Sequence, residues 1–156
     1  MERSNRPVVF SHSNPKALKG HARNIKDDQI RACAKTGGVV CLSGIGIFLG
    51  ANDITTETFL RHVDYVVELV GVDHVGVGLD YMFDREVNDN PPGLVREEWW
   101  PPGNEYGQLD LETIPPERLP TLTEALLAHQ YNEAEVKKIM GGNMLRVAEA
   151  SWSPTS

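Results

Sequence analysis

No long apolar run is present: nothing approaches the roughly 20 consecutive apolar residues of a membrane span. The opening MERSNRP also has no apolar core of a signal peptide. Positive charge is scarce, with 15 Lys and Arg against 22 Asp and Glu and a formal net charge of −7. That balance argues against nucleic acid or an anionic membrane surface as a partner. Cysteine is scarcer still. Cys33 and Cys41 have no CxxC spacing, so they make neither a disulfide framework nor a zinc site and are expected to be two buried, reduced thiols. No internal repeat or low-complexity tract occurs. These absences point to the cytoplasm as the expected location.

What is there is enough for one domain over 1–156, because 156 residues with 40% hydrophobic content can bury a core. PVVFS, residues 7–11, is a short β-branched run and reads as a strand. Asp27 then looks like the N-cap of a helix carrying Ile30, Ala32, Cys33 and Ala34 and ending at Gly37–Gly38. GVVCLSGIGIF follows, with a second strand expected over 38–43. TTETFLRHVDYVVELVG is a helix capped by Thr55 or Thr56 and stopped by Gly71, its apolar residues at helical spacing. A third strand, HVGVGLD, ends at Asp80. Apolar strands separated by amphipathic helices predict an α/β protein with three parallel strands and flanking helices. Residues 81–116 break the pattern with six of the ten prolines and the pair Trp99 and Trp100, as a long loop that is functional or disordered. Helices return over 117–152, in LPTLTEALLAHQ, NEAEVKKIMGG and NMLRVAEASW, before a frayed SWSPTS.

Two strands deliver a chemically capable residue at their C-terminal ends, His12 and Asp80, the edge at which parallel α/β folds assemble sites. A neutral imidazole suits a metal, and a carboxylate suits a metal or a general base beside one. Spacing alone leaves open whether His12 is a ligand or a hydrogen-bonded core residue.

Three stretches carry more: FSHS followed by ARN, GVGLDY preceded by HVDYV, and LTEALL…YNEAEVKKIMGGNMLRV. They resemble the renal (membrane) dipeptidase family, zinc dipeptidases of the amidohydrolase superfamily, from Pro7 to about Trp152. The resemblance implies the C-terminal portion of a (β/α)8 TIM-type barrel, with two zinc ions in the complete family enzyme and a dipeptide as substrate. It implies that His12 is a zinc ligand and that Arg23 binds the substrate carboxylate, a task suited to a planar two-pronged guanidinium. Asp80 is implied as the proton shuttle beside the metal-bound water and the substrate.

The family pattern also needs an HxD motif on the first strand, a bridging Glu near mid-chain and another zinc-binding His on the strand before FSHS, and none of these is expected in the chain. A barrel takes about 250 residues and eight strands, so the chain looks like the C-terminal half and is expected to be inactive alone. It should seek a partner carrying the N-terminal half, or form a homo-oligomer, because open sheet edges expose apolar surface. The alternatives are a non-catalytic barrel remnant acting in binding or assembly, and a hydrolase of another small amide. Of the other histidines, His62 reads as surface, while His74 and His129 read as structural. His21, beside Arg23, is a weaker candidate for the substrate side. Trp99 and Trp100 read as a packed anchor for the loop. Gly76 and Gly78 permit close packing in the third strand, and GVGLD lacks the spacing of a phosphate loop.

Overall fold

The computed structural model describes residues 4–83, 96–99, 102–105 and 111–152. Strands β1 (Val9–Phe10), β2 (Val39–Leu42) and β3 (Val75–Val77) form one parallel sheet in the order β1-β2-β3. Val9 pairs with Val39, and Cys41 with Gly76. Helix α1 (Asp27–Lys35) links β1 to β2. A short α2 (Gly46–Leu49), α3 (Thr56–Val70) and one 3-10 turn (Val72–His74) link β2 to β3. Beyond β3 come α4 (Arg96–Trp99), a 3-10 turn (Pro116–Arg118), α5 (Leu119–His129), α6 (Glu133–Lys137) and α7 (Asn143–Trp152), the last two joined through a kink at Gly141.

Alternation along β2 splits the core. Val40 and Leu42 face the main cluster, built with Ile30 and Cys33 of α1, Phe59, Val63 and Val66 of α3, and Leu122 and Leu126 of α5. Val39 and Cys41 face the other way, toward Val9 and Val147 of α7. Both faces of β2 are therefore dry, as the continuous run GVVCL implies for a parallel strand. Each large apolar side chain removed from water contributes about 1.5–3 kcal/mol, so the three buried apolar residues of α3 help clasp this face of the sheet. Its start is fixed by Thr55, whose hydroxyl accepts the Thr58 N–H at 3.3 Å. Its end is fixed by Gly71, at φ +92, a conformation that side chains resist.

Four expectations change. The cap of α1 is Lys26 rather than Asp27; Asp27 is the first helical residue, where its charge suits the helix dipole and its carboxylate accepts the Tyr65 hydroxyl at 2.8 Å. The run GVVCLSGIGIF is strand only to Leu42. Past it the backbone turns into α2, while residues 44–46 pair antiparallel with 112–114: Gly46 N–H donates to the Glu112 carbonyl at 2.8 Å and Ile114 N–H to that of Gly44 at 2.9 Å. The loop over 81–116 is thus tied to the sheet at its far end. Finally, His62 is buried, 1% exposed, because it falls on the stripe of α3 shared by Phe59, Val63 and Val66. Of the SWSPTS expected to fray, Ser151 and Trp152 instead form the end of α7, and the remaining four residues, like the roles given to Trp99 and Trp100, lie outside what the structure describes.

Candidate active site

Because the strands are parallel, His12, two residues past β1, and Asp80, three past β3, leave the sheet from the same edge. Gly78 brings these ends together. A Cβ there would collide with the Ser11 carbonyl oxygen and lie 2.9 Å from Cys41 Cβ, so only glycine lets the β1 and β3 ends meet over Cys41. Asp80 sits at φ +58, a left-handed conformation uncommon outside glycine though more accessible to Asp and Asn than to most residues. The chain turns sharply at the carboxylate itself, a strain of the kind that collects at functional sites.

The loop behind β1 is closed at its base by backbone bonds. Ile25 N–H donates to the Asn14 carbonyl at 2.9 Å and Lys16 N–H to the Ile25 carbonyl at 2.7 Å. Asn14, fully buried, then docks that base on the sheet. Its side chain accepts the Ser43 N–H at 3.0 Å and donates to the Ser43 carbonyl at 3.2 Å, imitating a strand neighbour where β1 has ended. Held this way, Arg23 lays its guanidinium on the Phe48 ring, 5.5 Å from the centroid, and brings Nη2 to 3.4 Å from His12 Nε2. A guanidinium only donates, so His12 Nε2 carries a lone pair, and its Nδ1–H faces the Ser11 hydroxyl at 2.8 Å. That is the tautomer a metal-binding imidazole needs, with the far ring nitrogen already engaged.

Phe48 is itself pinned. Asn24 donates to the Phe48 carbonyl at 2.8 Å, and His62 Nε2 to the Leu49 carbonyl at 2.8 Å, so two buried side chains cap the end of α2. Burial holds His62 below the ordinary imidazole range, opposed by the bond to Leu49 and assisted by Arg61. His62-Val63-Asp64 spells an HxD triplet, but it lies in α3. There the Asp64 carboxylate accepts from His129, Gln130 and Tyr131 at 2.9, 3.0 and 2.6 Å, which locks the α5–α6 turn onto α3. His74, as expected, is structural: its Nδ1 donates to the Gly38 carbonyl at 2.8 Å. Cys33 and Cys41 are buried free thiols, pushed up to about 11 by desolvation.

His12, Arg23 and Asp80 therefore share one edge of the sheet, and the structure adds Asn14, Asn24 and Phe48, which sequence reasoning passed over. The only written trace of them was two asparagines at the start and end of a short loop. Among the described residues no three His, Cys, Asp or Glu side chains gather to hold a metal ion. His12 is a suitable donor but not a centre, since zinc is normally held by three or four protein ligands.

The model of the membrane dipeptidases, peptidase family M19, matches residues 1–92, more than half of the chain. The chain belongs to peptidase family M19. An uncharacterised protein from the pqqA 5′ region of Klebsiella pneumoniae is 31% identical over 151 residues, spanning 94% of this chain and 47% of that protein. Dipeptidase ataJ of Aspergillus terreus is 29% identical over 147 residues, 92% of this chain and 30% of its own length. Among solved structures, dipeptidase AC, a metallopeptidase of family M19, superposes with a TM-score of 0.72 at 27% identity, covering 98% of this chain and 40% of that one. This M19 chain thus spans less than half the length of these relatives, and its three parallel strands with their helices correspond to part of a larger α/β fold.

Proposed function

We propose that this chain is the C-terminal portion of a zinc dipeptidase and supplies its carboxylate clamp, its proton shuttle and one metal ligand. The observation that carries this is the placement of Arg23 against His12 at the strand edge from which Asp80 also leaves. Arg23, exposed and with its guanidinium stacked on Phe48, offers paired donors to the free carboxylate of a dipeptide. Asp80 passes a proton to the leaving amine. His12 contributes its Nε2 lone pair to a centre whose other ligands come from outside the described residues; as they stand, these residues do not fit a complete zinc site. The protein would then work in association with a chain carrying the remaining strands and with further copies of itself. Exposed Leu145 and Trp152 on α7, at 61% and 83%, support such association. Among the described residues no helix is long and apolar enough to cross a membrane. A formal charge of −7 disfavours nucleic acid and anionic membrane surfaces as partners, and we place the enzyme in the cytoplasm.

A non-catalytic binding chain is the second reading, favoured by the lack of a three-donor cluster among the described residues. Glycylglycine hydrolysis, followed by released glycine in the presence of zinc, separates the two. The chain alone should show no turnover. Mixed with a family chain that supplies the N-terminal strands, it should turn over, and His12→Ala or Asp80→Asn should abolish the rate. Arg23→Lys should raise KM, because a point charge does not replace a planar fork. Turnover that survives His12→Ala and Asp80→Asn would overturn the proposal, and a mixture with no turnover and no bound zinc would favour the binding chain.

A further inference from the structure

His21 lies two residues before Arg23, is 4% exposed, and uses both ring nitrogens across the loop. Its Nδ1 accepts the backbone N–H of Arg23 at 3.1 Å. A nitrogen that accepts carries no proton, so Nε2 holds it and donates to the Asn104 carbonyl at 2.8 Å. The ring also packs on Phe48, with centroids 4.7 Å apart, the same ring on which the Arg23 guanidinium rests. Asn104 belongs to the segment that follows Asp80, and its neighbour Glu105 is paired with Lys19 at 2.8 Å. One imidazole therefore touches the backbone of Arg23, the platform under its guanidinium, and the segment leaving the other arm of the site.

We propose, resting on the carboxylate role given to Arg23 above, that His21 is a positioning residue: it fixes the height and direction of Arg23 by clipping its backbone to the segment around Asn104. Burial and full hydrogen bonding keep His21 from touching substrate. Its effect reaches substrate through Arg23, where a misplacement of about 1 Å is enough to cost two orders of magnitude in reaction rate and a smaller factor in binding. The Lys19–Glu105 pair, partly exposed and worth little by itself, adds a second tie between the same two segments.

Three replacements separate the two hydrogen bonds from ring packing. His21→Asn keeps an acceptor where Nδ1 stands, His21→Gln keeps a donor where Nε2 stands, and His21→Phe keeps only the ring on Phe48. The first readout needs no ligand: amide hydrogen exchange of Arg23 by NMR in the intact chain. His21→Phe should speed it at least tenfold while α1 and β2 keep their protection, and His21→Asn should restore it to within about threefold. His21→Gln should resemble His21→Phe at Arg23. The second readout is binding of glycylglycine against glycylglycinamide, which lacks the carboxylate. His21→Phe should weaken glycylglycine five- to tenfold and leave the amide unchanged, with His21→Asn again close to the unsubstituted chain. Unchanged Arg23 exchange in His21→Phe, or a uniform loss of protection across the whole chain in all three variants, overturns the positioning role. If the unsubstituted chain fails to prefer glycylglycine over the amide, the carboxylate role of Arg23 fails instead, and the exchange data still decide what His21 does to Arg23.

Discussion

Asn14→Ala tests whether the site loop is held by a side chain that stands in for a missing strand residue. Asn14 is fully buried, and its amide satisfies both backbone groups of Ser43, which is fully buried as well. Truncation leaves a buried N–H and a buried C=O without these partners, at about 1–3 kcal/mol each. The sum, about 2–6 kcal/mol, is a large part of the 5–15 kcal/mol that holds a typical domain together. With a urea m-value of about 2 kcal/mol/M for a chain of this size, the midpoint should fall by about 1–3 M with m unchanged. Asn14→Asp is the sharper variant. It retains an acceptor for the Ser43 N–H but sets a buried carboxylate against the Ser43 carbonyl, so it should be no better than Ala. The closing bond from Ile25 N–H to the Asn14 carbonyl is backbone and survives in both, so the loss belongs to the sheet contact rather than to the loop closure. A midpoint shift below about 0.3 M for Asn14→Ala, or an Asp variant as stable as the unsubstituted chain, would refute the strand-mimic account.

Two further outcomes are expected. Gly78→Ala should cost about 1–3 kcal/mol by forcing the Ser11 carbonyl away from β3, and should disturb the His12 ring signals in NMR spectra; unshifted His12 signals would show that the strand ends do not meet as described. His62 is neutral when folded because burial lowers its proton affinity, whereas in the unfolded chain it takes up a proton below about pH 6.5. Its contribution is therefore fully present above that pH and is lost as pH falls toward the lowered folded value, with a slope of at most about 1.4 kcal/mol per pH unit. His62→Gln, which still donates to Leu49, should flatten the pH dependence of the urea midpoint between pH 7 and 5, and parallel curves for the two proteins would exclude this origin.

The strand and helix alternation, the stop of α3 at Gly71 and the delivery of His12 and Asp80 to one sheet edge were all legible in the sequence. Each depends on local periodicity or on a single residue with a strong backbone preference: β-branched runs for β1 and β2, a 3.6-residue stripe for α3, a glycine at φ +92 for its end. The family was legible for a related reason, since FSHS, ARN and GVGLDY are contiguous motifs and need no long-range contact to be read.

What sequence could not determine is everything that depends on which distant groups share a buried space. His62 looked like a surface residue because Arg61 and Asp64 flank it in the chain; only the packing of α3 against α2 gives its ring the Leu49 carbonyl and removes it from water. Likewise the carboxylate of Asp64 acquires three donors from a turn more than sixty residues away. Asn14, Asn24 and His21 carry no periodic signal, because a side chain that replaces a backbone partner is chosen by the one unpaired N–H or C=O it meets. The end of β2 shows the same limit. The apolar run continues through GIGIF, and it is the return of residues 112–114 along 44–46 that takes up backbone groups there while the chain turns into α2. Local pattern thus wrote the elements and their order, and tertiary contact decided which polar groups were satisfied, and by whom, because a buried hydrogen bond has no sequence period.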